Sequence, residues 1–379
     1  MSLDALIAAL PSGTVLTDPD LLASYRFDWA RDPDAGTPQA VVRANSTEDV
    51  QAVLRWATQH RVPVVPRGAG SSLSGGSSGI EGGVTLSLER MREIDIDPVT
   101  RVAVAQPGAL NAEVKAAAAR HGLWYPPDPS SFEMCSIGGN AATNAGGLCC
   151  VKYGVTTDYV LGMQVVLADG TAVRLGGPRI KDVAGLSLTK LFVGSEGTLG
   201  VITEVTLRLL PAPPKACTLV ATFASVEDAA DAVVAITADL RPSMLELMDN
   251  GSINAVEDVV RMGLDRDAGA LLLARSDAPG TAAELEIETI AAACHKNSAV
   301  EVFTTTDPEE GEAFTAARRA AFPAMERVGT LLLEDVGVPV PELPQLVHGV
   351  REIGRANDTH VVLVAHAGDG NTHPIIAYP

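Results

Sequence analysis

Basic residues are outnumbered in this 379-residue chain: 28 Lys and Arg stand against 47 Asp and Glu, a formal charge of -19. Such a charge repels phosphate backbones and anionic lipid headgroups, which argues against nucleic acid as a partner and against direct membrane insertion or adsorption. A small anionic substrate would need a basic residue of its own. Long apolar runs are missing too. No stretch approaches the ~18 uninterrupted apolar residues of a spanning helix, and the opening MSLDALIAALPSG carries Asp4 and no basic residue ahead of its apolar run. The sequence reads as cytoplasmic. Cysteine is sparse and odd in number, five, with Cys149 and Cys150 adjacent. That spacing suits neither a disulfide framework nor a C-x-x-C zinc site, which leaves reduced thiols. Aromatics number only fifteen against 35 glycines, so tight turns abound and glycine is read as functional.

The length exceeds one ordinary core and predicts two domains. From Pro38 to Pro66 the pattern is strand, helix, strand: AVVRA is β-branched, Ser46 caps a helix with Val50, Val53, Leu54 and Ala57 on one face, and VPVVP is extended. Glycine-rich stretches read as loops follow at RGAGSSLSGGSSGIEGG, SIGGNAATNAGG and VGSEGTLGVITEVTLRLLP, with strand-like VTLSL after the first. Prolines 211, 213 and 214 mark the domain boundary. Beyond it CTLVATF, ALLLAR and AVEVFTTT read as strands, VEDAADAVVAITADL (capped by Ser225) and AAELEIETIAAACHK as helices, with no phosphate-loop signature. This alternation predicts an α+β sheet packed by helices. The first half reads as a cofactor binder, the second as a substrate cap.

PRGAGSSLSGG places Gly68, Gly70, Gly75 and Gly76 among hydroxyls at Ser71, Ser72 and Ser74. Backbone N–H groups without neighbouring Cβ atoms suit a diphosphate cradle, yet the run matches neither a P-loop nor a dinucleotide-binding G-x-G-x-x-G. A structural turn stays open. SIGGNAATNAGG adds Asn140, Thr143 and Asn144, groups suited to a polar ring edge or a ribityl chain, and PPDPSS is a rigid segment presenting carbonyls and Ser131.

Together VVPRGAGSSLSGG, QPGALNAEV, the stretch from GLWYPPDPSS through SIGGNAATNAGG to VVLADG, and LFVGSEGTLGVITEVTLRLLPAPP resemble the FAD-binding domain of the vanillyl-alcohol oxidase and p-cresol methylhydroxylase superfamily. The branch resembled holds D-lactate dehydrogenase and the flavoprotein subunit of glycolate oxidase, and the likeness runs almost the whole chain. It implies an α+β fold: a two-part PCMH-type FAD-binding domain over residues 1–212 (core 38–212), then an α+β cap over 213–379 with an antiparallel sheet covered by helices. Carried over residue by residue, Arg67, Gly68, Ala69, Gly70, Ser71 and Ser72 wrap the FAD pyrophosphate, and Pro127, Asp128 and Ser131 run along the cofactor. Gly138, Gly139, Asn140, Thr143 and Gly147 form the central loop; Glu196, Gly197, Gly200 and Ile202 lie near the adenosine part. The FAD is noncovalent, since PRGAGSSLSGG has no His or Cys where tethered relatives carry their linking residue. Ser187 stands where relatives have aspartate, a local departure.

HAGDGNTHP carries two histidines around Asp369-Gly370. With these two as a hairpin loop, residue 366 pairs with 373, placing His366 and His373 face to face with Cβ atoms ~5 Å apart. Two imidazoles so placed can share a divalent cation at ~2.1 Å per bond, though spacing alone leaves an ordinary surface or core pair open. The resemblance implies a metal, zinc or manganese, at His366 and His373, holding a 2-hydroxy acid beneath the flavin, with Asn371 meeting flavin or substrate. Arg318, beside Arg319 in the helical TAARRAAFPA, would be a solvated helix arginine by default; the family's pattern gives it the substrate carboxylate. Relatives specific for 2-hydroxyglutarate have a lysine two residues before the aspartate matched by Asp335, where this chain has Leu333, which favours glycolate or D-lactate.

The implied function is FAD-dependent oxidation of a short 2-hydroxy acid by hydride transfer to flavin N5 with metal-assisted hydroxyl deprotonation. A quinone, a cytochrome or an iron–sulfur partner subunit is the implied electron acceptor, and a homodimer and peripheral membrane attachment through a partner are compatible. The alternative is a catalytically silent FAD-binding subunit of a multi-subunit oxidase. Relatives carry a G-E-H-G segment, a few tens of residues past the histidine pair, whose glutamate completes the metal site and whose histidine is the base. With Pro379 as its last residue, the chain reads as C-terminally shortened, and FAD binding is expected to survive more readily than catalysis.

Overall fold

The computed structural model describes residues 3–327 and 329–378. The chain forms two compact units, one of Met1–Gly146 with Val155–Ala212, the other of Gly147–Gly154 with Pro213–Pro379. The chain thus leaves the first unit for eight residues at Gly147 before returning, and Gly147 itself belongs to the second unit.

In the first unit a four-stranded sheet has the order Val15–Leu16, Ala40–Arg43, Val84–Ser87, Val64–Arg67, with Val84–Ser87 running parallel to both of its neighbours. The helix Thr47–His60 forms where the apolar period predicts it. Ser46 Oγ accepts the Asp49 N–H at 3.2 Å, Arg61 closes the other end in the left-handed conformation, and Val50, Val53, Leu54 and Ala57 are all buried. They pack with Ala40, Val42, Val84 and Leu86 of the sheet in one apolar cluster. An antiparallel five-stranded sheet follows in the order Ile94–Asp97, Val102–Ala105, Val201–Arg208, Val160–Val166, Ala172–Gly176.

Two glycine-rich stretches are more regular than their composition predicts. Within SIGGNAATNAGG, Ile137–Thr143 is a short helix: Ser136 caps it by accepting the Gly139 N–H at 3.3 Å, and Asn144 ends it at φ +50°. Gly138 is required by packing, because a Cβ there would overlap Pro107. Likewise VGSEGTLGVITEVTLRLLP is a loop only to Gly200, beyond which Val201–Arg208 is a central strand.

The second unit is built on an antiparallel sheet of order Ala299–Thr305, Cys217–Phe223, Ala270–Ser276, Met244–Asp249, Val361–His366, Asn371–Tyr378, Thr330–Leu333, with Val336–Gly337 also pairing Asn371–Tyr378. Helices Val226–Asp239, Ala282–Lys296 and Leu343–Ala356 cover one face, meeting Leu219, Leu245, Leu247, Leu272, Leu363 and Ala365. The alternate residues Val220, Met244, Met248, Leu271, Leu273, Val362, Val364 and Ile375 meet helices Asn250–Val260 and Ala321–Met325 and the end of Pro308–Arg319 on the other face. Since side chains alternate along a strand, Glu246, His366 and His373 fall on this second face, on the same side as the helix that carries Arg318.

Candidate functional site

In the first unit the three glycine motifs meet. The strand Val64–Arg67 delivers the loop that starts at Gly68, where a Cβ would overlap Ser136 Oγ at the head of the helix Ile137–Thr143. Gly76 lies against Glu196, whose Oε2 accepts from Ser74 Oγ at 3.4 Å, and Gly197, at φ +77°, sits over Pro66. The loop carbonyls of Gly70 and Ser72 accept the N–H groups of Trp29 and Ala30 at 3.1 and 3.2 Å. The N–H groups of Gly68, Ala69, Gly70, Ser71 and Ser72 meet no protein acceptor among the described residues. Such a run of unclaimed donors is open to an anion, and its donor set fits a pyrophosphate.

Several residues expected to touch a cofactor brace the cradle. Arg67 is 9% exposed and donates from Nη1 to Ser77 O at 3.0 Å and from Nη2 to Phe27 O at 2.9 Å. Its fork therefore holds the loop in shape, and Gly70, at φ +69°, leaves room for it. The N–H groups of Gly138 and Gly139 go to Pro107 O and Ser136 Oγ. Buried Asn140 accepts through Oδ1 from Asn111 Nδ2 at 3.0 Å, and the same Nδ2 reaches Pro127 O at 3.2 Å. Asn111, which the motifs did not single out, thus joins the proline segment to the glycine helix. Asp128 is buried and Ser131 half-buried, with Ser131 O accepting the Met134 and Cys135 N–H groups. Thr143 is exposed and bonds Gly139 O at 3.0 Å; Gly200 packs tightly on Val165; Ile202 is buried on its strand; and Ser187 is exposed.

The second unit holds a buried polar centre. The hairpin of its two histidines differs from the two-residue loop expected: Ala367–Asp369 is a 3-10 turn and Gly370 takes φ +80°, where a Cβ would overlap Val338 O. The register consequently pairs His366 with Asn371 and Val364 with His373. The histidines sit diagonally on one face, ring centroids 5.1 Å apart and nearly perpendicular.

Leu247 pairs with Ala365 and Met248 with Val364, so the next position in that register sets Glu246 opposite His366. Glu246 has a side chain 1% exposed; both its carboxylate oxygens lie 2.9 Å from His366 Nδ1, and Oε2 lies 2.9 Å from Arg318 Nη2. Nη2 of this buried guanidinium is paired with Glu246, and its Nε has no hydrogen-bond acceptor among the described residues. Burial pulls the Arg318 pKa down and Glu246 opposes it. For His366 burial also pulls downward, but the Glu246 charge and hydrogen bond outweigh it and the pKa is raised. His373 has no such partner among the described residues: its buried Nδ1 is unbonded there, and burial pushes its pKa down to about 3, which favours the neutral ring. Burial raises Asp369. Glu246 stands between Leu245 and Leu247 in the strand MLELMD, and a carboxylate buried among such apolar neighbours is expected to be paired.

Residues 38–176 match the model of the FAD binding domain, and residues 212–379 that of the C-terminal domain of FAD linked oxidases. The glycolate oxidase subunit GlcD of Bacillus subtilis is 43% identical over 340 residues, 89% of this chain and 72% of that protein. The chain belongs to the FAD-linked oxidases. Another relative of this FAD-linked oxidase, the D-lactate dehydrogenase of Archaeoglobus fulgidus, is 34% identical over 92% of this chain and 78% of its own length. The fold matches that of p-cresol methylhydroxylase with a TM-score of 0.82 at 18% identity, covering 98% of this chain and 81% of that one.

An imidazole with an unbonded buried nitrogen, beside a second one steered by a carboxylate, fits as part of a divalent-metal site. Among the described residues no group of three or more His, Cys, Asp or Glu forms a complete one. No helix among those residues is long and apolar enough to cross a membrane.

Proposed function

We propose that this FAD-linked oxidase converts a short 2-hydroxy acid, glycolate or D-lactate, to the 2-oxo acid. The observation that carries the reading is the buried Arg318 with unused N–H donors, held beside the His366 and His373 pair by one carboxylate. A carboxylate on the substrate would complete those guanidinium donors, an interaction strengthened by the scarcity of water there. Bound FAD, cradled through the pyrophosphate by the N–H groups of Gly68 to Ser72, supplies a two-electron acceptor for the Cα hydride. A divalent cation held by His366 and His373 supplies a Lewis acid that lowers the pKa of the substrate hydroxyl. Asn371 pairs with His366 in the register, which supports giving it the substrate's polar groups to meet. Leu333, in a strand paired to the histidine strand, offers no cation to a second carboxylate, which favours a monocarboxylate. Because relatives include a subunit of glycolate oxidase, a partner polypeptide as electron acceptor fits the same reading.

The test is anaerobic mixing of FAD-loaded protein with glycolate, D-lactate and D-2-hydroxyglutarate, with and without Zn²⁺ or Mn²⁺. Bleaching by the first two that increases with metal is expected. Bound FAD that none of them reduces would favour an FAD-carrying subunit without chemistry of its own.

A further inference from the structure

We propose that Glu246 is the positioning residue of this centre, fixing the tautomer of His366 and holding Arg318 in place beside it. The proposal rests on the 2-hydroxy acid reading for its purpose, but the contacts that motivate it do not. An ionised carboxylate can only accept, so the 2.9 Å contacts from His366 Nδ1 to both Glu246 oxygens require the proton on Nδ1. In the neutral ring Nε2 then carries the lone pair, and it makes no hydrogen bond among the described residues. His373 lacks any such director, since its Nδ1 is unbonded. Of the two imidazoles one is therefore oriented by the fold, and the other is left to whatever binds.

The same carboxylate faces Arg318 Nη2 at 2.9 Å. With both side chains buried, water cannot replace either partner, so Glu246 sets the aim of the guanidinium. Its backbone is suited to that role. Met244–Asp249 is a central strand paired on both edges, and the neighbours Met244 and Met248 on the same face are buried, which leaves the carboxylate little freedom.

The test compares wild type, Glu246→Met and Glu246→Gln. In ¹⁵N-histidine spectra taken in alkaline buffer, His366, assigned through loss of its signal in His366→Asn, should show an Nδ1–H, Nε2-lone-pair pattern. Glu246→Met should lose that preference, while Glu246→Gln should keep it through the amide oxygen yet bind Zn²⁺ about tenfold or more weakly. A folded Glu246→Met with the His366 pattern unchanged overturns the proposal, as does Glu246→Gln with wild-type Zn²⁺ affinity. Should Glu246→Met fail to fold, Glu246→Gln decides. A wild type that binds neither Zn²⁺ nor Mn²⁺ would sink the metal reading instead, and the imidazole spectra would still decide the role of Glu246.

Discussion

Arg318 and Glu246 form an ion pair, Nη2 to Oε2 at 2.9 Å, with side chains only 5% and 1% exposed. The arginine is therefore buried and paired while part of its fork is unused among the described residues, a state that favours an incoming carboxylate. Arg318→Lys keeps the charge but removes the planar fork. With charge-assisted hydrogen bonds worth ~1.5–3 kcal/mol, the Kd of a nonreacting 2-oxo acid should rise about 10- to 100-fold. Equilibrium dialysis checks this, and an unchanged Kd would remove Arg318 from the site.

The cradle makes a second prediction. In Gly70→Ala the new Cβ meets Arg67 Nη2 at φ +69°, whereas at Gly75, φ +79°, nothing lies within 4 Å. Gly75→Ala should cost only backbone strain, ~1–2 kcal/mol. Gly70→Ala should in addition displace the loop and lower FAD retention on gel filtration. Equal retention in both variants would show that the Arg67 brace does not shape the cradle.

The His373 pKa, pushed down to about 3 by burial, makes the metal-free protein sensitive to acid. The unfolded ring takes a proton near pH ~6.5 and the folded one does not until far lower. The neutral histidine's contribution to stability is thus full above ~6.5 and is lost as pH falls from there toward about 3. His373→Gln should flatten the decline of the urea midpoint over that window. A slope identical to wild type would show that His373 is protonated without penalty.

Thiol reactivity is also divided. Burial pushes Cys294 up to about 12 and raises Cys135 and Cys217, while Cys149 and Cys150 are half-buried. Iodoacetamide at neutral pH should modify only Cys149 and Cys150 in the native protein, and all five after denaturation. Peptide mass spectrometry reads the outcome directly.

Legibility in the sequence followed locality. Helices 47–60 and 226–239 announce themselves through a serine cap, and the structure forms these two and 282–296 where TEDVQAVLRWATQH, VEDAADAVVAITADL and AAELEIETIAAACHK lie. The helix at Ile137 was masked because Gly138 and Gly139 weaken helix propensity, and a tertiary contact with Pro107 overrides that weakness. The histidine hairpin was misread by its loop: Ala367–Asp369 adds a turn that makes the loop longer and shifts the register, though the two rings stay on one face. Glu246 was invisible for another reason. Its partners are 72 and 120 residues away, and only strand order, which no local pattern encodes, brings them together.

The central claim, that this FAD-linked oxidase takes electrons from a short 2-hydroxy acid held by Arg318, is tested most directly by the flavin's own absorbance. FAD-loaded wild type and Arg318→Lys are mixed anaerobically with glycolate or D-lactate in the presence of Mn²⁺. The account predicts that the oxidised flavin band of the wild type bleaches, however slowly, and that the variant requires far more substrate for the same rate. A wild-type band unchanged by either acid, or one bleached equally in the variant, would contradict it.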